Sequence, residues 1–206
     1  MEQVRPVITG ELRKHIVTVP EAIFRASGIV VMGRRIKSLL FSTDIAIISN
    51  CNADAVLAVY PFTPQPRIAN AIVTSSSIPV FCGVGGGVTN GERSVMLARA
   101  AEGLGAYGVV VNEPITNDAI ARMKATIDVP VIATVVNRSM DIEARLSAGA
   151  AILNVSAAER TPELVRDIRK DFPDVPIIAA GANAISYTPP STKVLFQSIM
   201  NGYRQS

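Results

Sequence analysis

Short apolar runs recur along the chain, each closed by a small or polar residue. One set follows a Val-Pro or Ile-Pro step: Ile78-Pro79-Val80-Phe81-Cys82-Gly83, Val129-Pro130-Val131-Ile132-Ala133-Thr134 and Val175-Pro176-Ile177-Ile178-Ala179-Ala180. A second set follows a small, Ala-rich step: Ala53-Asp54-Ala55-Val56-Leu57-Ala58-Val59-Tyr60, Gly105-Ala106-Tyr107-Gly108-Val109-Val110-Val111-Asn112, Gly149-Ala150-Ala151-Ile152-Leu153-Asn154 and Gly181-Ala182-Asn183-Ala184-Ile185-Ser186-Tyr187. The two kinds alternate. Continuous apolar runs of this length fit parallel strands buried on both faces. The pattern predicts strands over 29–32, 55–60, 80–82, 108–112, 131–136, 151–155, 177–180 and 184–188. Helices are expected over 20–26, 36–49, 66–75, 92–104, 117–127, 141–148, from Thr161 onward and over 191–203. Thr161 is read as an N-cap with Pro162 in the first turn.

Strand after helix, repeated, means a parallel sheet with helices outside, and eight strand candidates favour a closed (β/α)8 barrel, a TIM barrel. The repeat breaks once. Pro79 and Ala106 are 27 positions apart, Pro130 and Ala150 are 20 apart, but Pro176 and Ala182 only 6. A parallel crossover needs roughly a dozen residues, so the seventh gap holds no helix. The expectation is a shortened barrel, imperfectly closed between strands 7 and 8, whose exposed edge favours a homo-oligomer. Residues 1–27 read as a lead-in and 28–206 as one barrel domain.

Composition narrows the class. Hydrophobic residues make up 49% of the chain and the mean hydropathy is +0.33, yet no apolar stretch approaches the ~18–20 residues of a membrane span. The first residues carry charge and no apolar signal region, so a cytoplasmic, non-membrane protein is expected. A net charge of +3 without basic runs or interleaved aromatics argues against nucleic acid. Two cysteines make no disulfide framework and a single histidine no His-rich metal site. No metal or cofactor is expected.

In a barrel the ligand sits at the C-terminal strand ends. The residues that follow each predicted strand are rich in Asn, Gly and Arg and poor in catalysts. Glu113 is the candidate general acid or base; its alternative reading is a loop carboxylate paired to an arginine. Cys82 is a candidate reactive thiol or, more simply, a small buried hydrophobe. Asn112, Asn137 and Asn154 end strands at equivalent places and suit sugar or carbonyl oxygens; each could instead cap its loop. Gly85, Gly86 and Gly87, before a helix, could bring backbone N–H groups to a phosphate or simply turn the chain. Arg34 after strand 1, Tyr60 after strand 2 and Ser156 after strand 6 complete the ligand-binding candidates, with Gly181 after strand 7. The mildly cationic mouth suits a small anionic or phosphorylated metabolite.

The phrases Val175–Gly181 and Gly149–Asn154 resemble the strand phrases of the phosphate-binding TIM barrels, the group of thiamine-phosphate synthase, indole-glycerol-phosphate synthase and the sugar-phosphate epimerases. The resemblance covers about residues 29–206. It implies a phosphate held by the loops after strands 7 and 8, where Gly181 and the helix start at Ser191-Thr192 could match. The missing helix between those strands departs from the group, and its lysine and aspartate catalysts have no clear counterparts here. The expected function is a small-metabolite lyase, isomerase or hydrolase. The alternatives are a non-catalytic ligand-binding or regulatory barrel, or a degenerate copy without activity.

Overall fold

The computed structural model describes residues 7–8, 10 and 16–180. Its central element is a seven-stranded parallel sheet in strict sequence order: β3 (Leu39–Phe41), β4 (Ala55–Ala58), β5 (Val80–Gly85), β6 (Gly108–Val111), β7 (Val131–Val135), β8 (Ala150–Ser156) and β9 (Ile177–Ala180). Helices α1 (Ile45–Ser49), α2 (Pro66–Ser75), α3 (Glu92–Gly103), α4 (Asn117–Thr126), α5 (Ile142–Ser147) and α6 (Thr161–Asp171) connect successive strands. The two remaining strands, β1 (Ile29–Val31) and β2 (Arg34–Ile36), form a separate antiparallel hairpin.

The Pro steps have a defined job. Proline has no N–H to give a ladder, so it belongs at a strand's entry, where its carbonyl can still accept. Val56 N–H donates to Pro79 O (2.8 Å), Val109 N–H to Pro130 O (3.0 Å) and Leu153 N–H to Pro176 O (3.0 Å). Each step therefore ties the start of its strand to the preceding strand and helps to set the register between them.

The sheet has two apolar faces. On the inner face Leu39, Ala55, Leu57, Phe81, Val110, Ile132, Ile152 and Ile178 form one buried cluster. Both edge strands contribute to it, so the sheet curves around a shared interior. On the outer face Leu40, Val56, Ala58, Cys82, Val109, Val111, Val131 and Ala133 pack beneath helix residues such as Ile72, Ala98 and Ile120. The strand period of two assigns alternate residues to each face.

The N-terminal part differs from the sequence expectation. Met32 (φ 48°) and Gly33 (φ 78°) both adopt left-handed conformations, the geometry of a two-residue hairpin turn that matches strand twist. Segment 29–32 is thus a hairpin arm and not the first barrel strand. The expected helix over 36–49 divides instead. Its first part is β3, buried on both faces, and its last part is the short α1, started by Asp44, whose Oδ1 accepts from Ala46 N (2.8 Å) and Ile47 N (3.1 Å). An all-round apolar run cannot by periodicity tell a doubly buried strand from a buried helix.

The expected N-cap Thr161 also has another role. It is already helical (φ −52°, ψ −46°), and its buried hydroxyl accepts from Ala157 N (2.9 Å) and donates to Ala180 O (3.1 Å), joining the β8 loop to the end of β9. The expected strand 184–188 and helix 191–203 lie outside the described residues.

Candidate functional site

A cavity of about 240 Å³ opens at the C-terminal ends of β4, β5 and β6. Its walls are Val59–Pro64 after β4, Gly83 and the glycine loop Gly85–Thr89 at the end of β5, and Asn112 and Glu113 after β6. Glu113 is the one charged side chain among these lining residues.

The inner face of the sheet becomes polar in this layer. Two residues beyond the interior positions Val110, Ile132 and Ile152 stand Asn112, Thr134 and Asn154. The Thr134 hydroxyl donates to Asn112 Oδ1 (2.7 Å) and accepts from Asn154 Nδ2 (3.1 Å). Thr134 and Asn154 are both buried. Asn154 Oδ1, also buried, has no hydrogen-bond partner among the described residues, a condition that costs roughly 1–3 kcal/mol. Sequence reasoning picked the two asparagines but missed the threonine. Its signal was present: a single hydroxyl in the apolar run Val131–Val135, on the same parity as Ile132.

Glu113 is held from outside the cleft. Arg145, on α5, donates from Nη2 to Glu113 Oε1 (2.8 Å) and from Nη1 to Asn117 Oδ1 (2.9 Å). The two side chains are only 23% and 12% exposed. The ion pair fixes the carboxylate and offsets its charge where water is scarce. Arg145 was not among the sequence candidates, because it lies mid-helix, 32 residues away in the chain.

The glycine loop packs on Asn112. Asn112 N–H donates to Gly85 O (2.9 Å) and Gly87 N–H donates to Pro114 O (3.0 Å). Gly86 N–H donates to Thr89 O (2.7 Å). The N–H groups of Gly86 and Gly87, which one of the two sequence readings offered to a phosphate, are bonded inside the protein. The loop's glycines serve close backbone approach: a Cβ on Gly85 would fall 2.1 Å from Ser94 Oγ. Tyr60 lines the same cavity, and its hydroxyl accepts from Gln65 N (2.9 Å), latching the β4 loop to the start of α2.

Other candidates are placed elsewhere. Cys82 is 1% exposed and lies in the outer cluster, facing the helices and not the cleft. Burial pushes its thiol up to about 11, since an apolar site disfavours the thiolate. Arg34 lies exposed in β2, and the hairpin feeds into the N-terminal end of β3, opposite the cleft. Asn137 is half-buried, and its Oδ1 accepts from Ser139 N (3.0 Å) and Ser139 Oγ (2.7 Å), which is loop capping. It borders a smaller hollow of about 100 Å³ with Arg138, Arg160, Glu163 and Asp167, in which Arg138 pairs with Asp167 (2.6 Å). Ser156 is half-buried at the end of β8 and pairs with Ala180. Gly181 lies outside the described residues. Among the described residues no group of three or more His, Cys, Asp or Glu side chains is arranged to hold a metal ion, and no helix is long and apolar enough to cross a membrane.

Solved structures share this architecture. A phosphonopyruvate hydrolase superposes with a TM-score of 0.61 at 14% identity, over 82% of this chain and 80% of the other. The fold is of the TIM-barrel type. A phosphoenolpyruvate phosphomutase from Streptomyces platensis subsp. rosaceus gives 0.60 at 16% identity, over 89% and 84% of the two chains. A dihydrodipicolinate synthase from Agrobacterium tumefaciens gives 0.52 at 16% identity, over 76% and 66%. At these identities the likeness establishes the fold alone. No protein-family model matches the chain, and no curated protein matches it in sequence.

Proposed function

We propose that this protein is a small-metabolite enzyme of lyase, isomerase or hydrolase type whose substrate, anionic or phosphorylated, enters the cleft at the ends of β4, β5 and β6. The observation that carries this reading is Glu113: a carboxylate at a strand's C-terminal end, clamped by Arg145 and facing a concave cavity beside the amide of Asn112. A positioned carboxylate with its geometry set from behind is the minimum equipment for general acid–base work. Fold-level analogy supports an anionic substrate, since a phosphonopyruvate hydrolase of like fold was solved with oxalate and magnesium. Arg145, paired with Glu113, is the cation beside the cleft; Arg138 and Arg160 line a separate hollow beyond β7 and β8.

A second reading, a ligand-binding barrel without turnover, draws on a specific observation. Among the described residues the cleft presents one carboxylate as its sole charged wall group, and Cys82 is turned away. Cytoplasmic residence and homo-oligomer formation belong to the same proposal and rest on composition and on the sequence break.

Thermal-shift screening against sugar phosphates, carboxylates and inorganic phosphate tests the site, because a ligand that binds only the folded state raises the melting temperature. Comparing the parent with Glu113→Gln on each stabilising compound then tests chemistry. Turnover lost with binding retained supports the enzyme; binding in both forms with turnover in neither supports the second reading.

A further inference from the structure

We infer that Thr134 fixes the polarity of Asn112, so that the cleft presents an N–H donor there and selects a ligand bearing a carbonyl or carboxylate oxygen. A threonine hydroxyl carries one hydrogen. That hydrogen goes to Asn112 Oδ1 (2.7 Å), and the oxygen's lone pair is filled by Asn154 Nδ2 (3.1 Å). The run from Asn154 through Thr134 to Asn112 therefore has a direction. With its oxygen held at the β7 side, Asn112 turns its Nδ2 group away from Thr134, and no acceptor for that group occurs among the described residues. Asn112 lines the cavity.

The surroundings hold Asn112 in place. Its backbone N–H is bonded to Gly85 O (2.9 Å). Gly86 sits so close that only hydrogen fits between the two backbones. The neighbouring carboxylate of Glu113 would repel an anionic oxygen, but Arg145 takes that charge at 2.8 Å. An amide of fixed direction beside an offset carboxylate is a reader of oxygen acceptors. Asn112 would touch the ligand; Thr134 acts through it, as a positioning residue, and Asn154 sets Thr134 in turn.

This inference rests on the reading that the cleft is the substrate site, and it names the ligand's chemistry there. Its test uses the full chain labelled with ¹⁵N and follows the side-chain amide resonances of Asn112, assigned by their disappearance in Asn112→Asp. The probes are oxalate and inorganic phosphate, with glycerol as a neutral control. Oxalate, rich in acceptors, is expected to shift the Asn112 side-chain pair saturably, and glycerol to leave it in place. Thr134→Val, which keeps the shape and removes the hydroxyl, is expected to weaken oxalate roughly tenfold, the scale of one hydrogen bond to a charged group. Thr134→Ser should restore parental affinity. Where Thr134→Val loses its dispersed spectrum, Asn112→Asp serves, since it replaces the cleft donor with an acceptor; its oxalate affinity, read from the backbone amide of Glu113 because the side-chain pair is gone, should fall at least tenfold.

Asn112 resonances that ignore both oxalate and phosphate would overturn the inference, as would parental oxalate affinity in Thr134→Val or in Asn112→Asp. The two readings fail separately. Turnover that depends on Glu113 with an unmoved Asn112 signal sinks only the inference. A moved Asn112 signal without turnover of any compound supports the inference and sinks only the enzyme.

Discussion

A Cβ placed on Gly86 would stand 2.2 Å from the carbonyl oxygen of Asn112, and Gly86 itself has φ +114°. Backbone meets backbone there, so neither side can yield cheaply. The glycine loop and the end of β6 are thus one packed unit, and the wall of the cleft depends on it.

Gly86→Ala is expected to lower stability by roughly 2–4 kcal/mol, combining steric overlap with a disfavoured backbone angle. Gly87→Ala is the control. Gly87 has φ +65° and open space around it, so only the cost of a left-handed residue remains, about 1 kcal/mol. Denaturant midpoints of the two variants measure the difference. Equal midpoints would mean that the loop does not press on Asn112.

Arg145 clamps Glu113 from α5. Arg145→Met leaves a half-buried carboxylate without its partner, at a cost of roughly 1–2 kcal/mol, between the values for exposed and buried pairs. The double variant with Glu113→Gln should recover part of that loss. A thermodynamic cycle of four unfolding free energies measures the coupling; zero coupling would remove Arg145 from the site.

The Cys82 thiol should be silent. It is expected to resist alkylation in the native state at pH 8 and to react at once in denaturant. Its folded value, about 11, lies above the ordinary 9.0. The stability associated with the protonated thiol is therefore complete below pH 9 and is lost as pH rises towards 11, because the unfolded chain releases the proton first. Relative to Cys82→Ala, the parent should lose stability across that window. Parallel pH curves for the two proteins would contradict the burial.

Thr161 bridges Ala157 N and Ala180 O through one buried hydroxyl. Thr161→Val strands both partners and is expected to cost about 1–3 kcal/mol, while Thr161→Ser should stay close to the parent. Hydrogen exchange at the Ala157 amide offers a local readout. Protection there that is unchanged in the valine variant would place the bond elsewhere.

Much of the architecture was written in local signals. The Pro steps and the Ala-rich steps mark β4 to β9 because each is a strand entry, read from a residue that cannot donate or from a small residue in a tight approach. The helix over Pro66–Ser75 and the strand Ile177–Ala180 emerge with the expected bounds. The hairpin escaped because the Met32-Gly33 turn is a weak signal without Asn or Asp. β3 escaped because Leu39-Leu40-Phe41 has no polar face to reveal its period.

For the site, the chain alone gave the strand ends as the place to look and Glu113, Asn112 and Asn154 as side chains worth testing. It could not say which face Cys82 takes, because one residue of register moves a side chain from the cleft to the helix layer. Nor could it pair Glu113 with Arg145 or set Thr134 between two asparagines. Those relationships join residues 20 to 32 positions apart and come into being only when neighbouring strands align side by side and α5 packs behind them. Local sequence carries the strand; the hydrogen-bond ladder between strands decides which side chains meet.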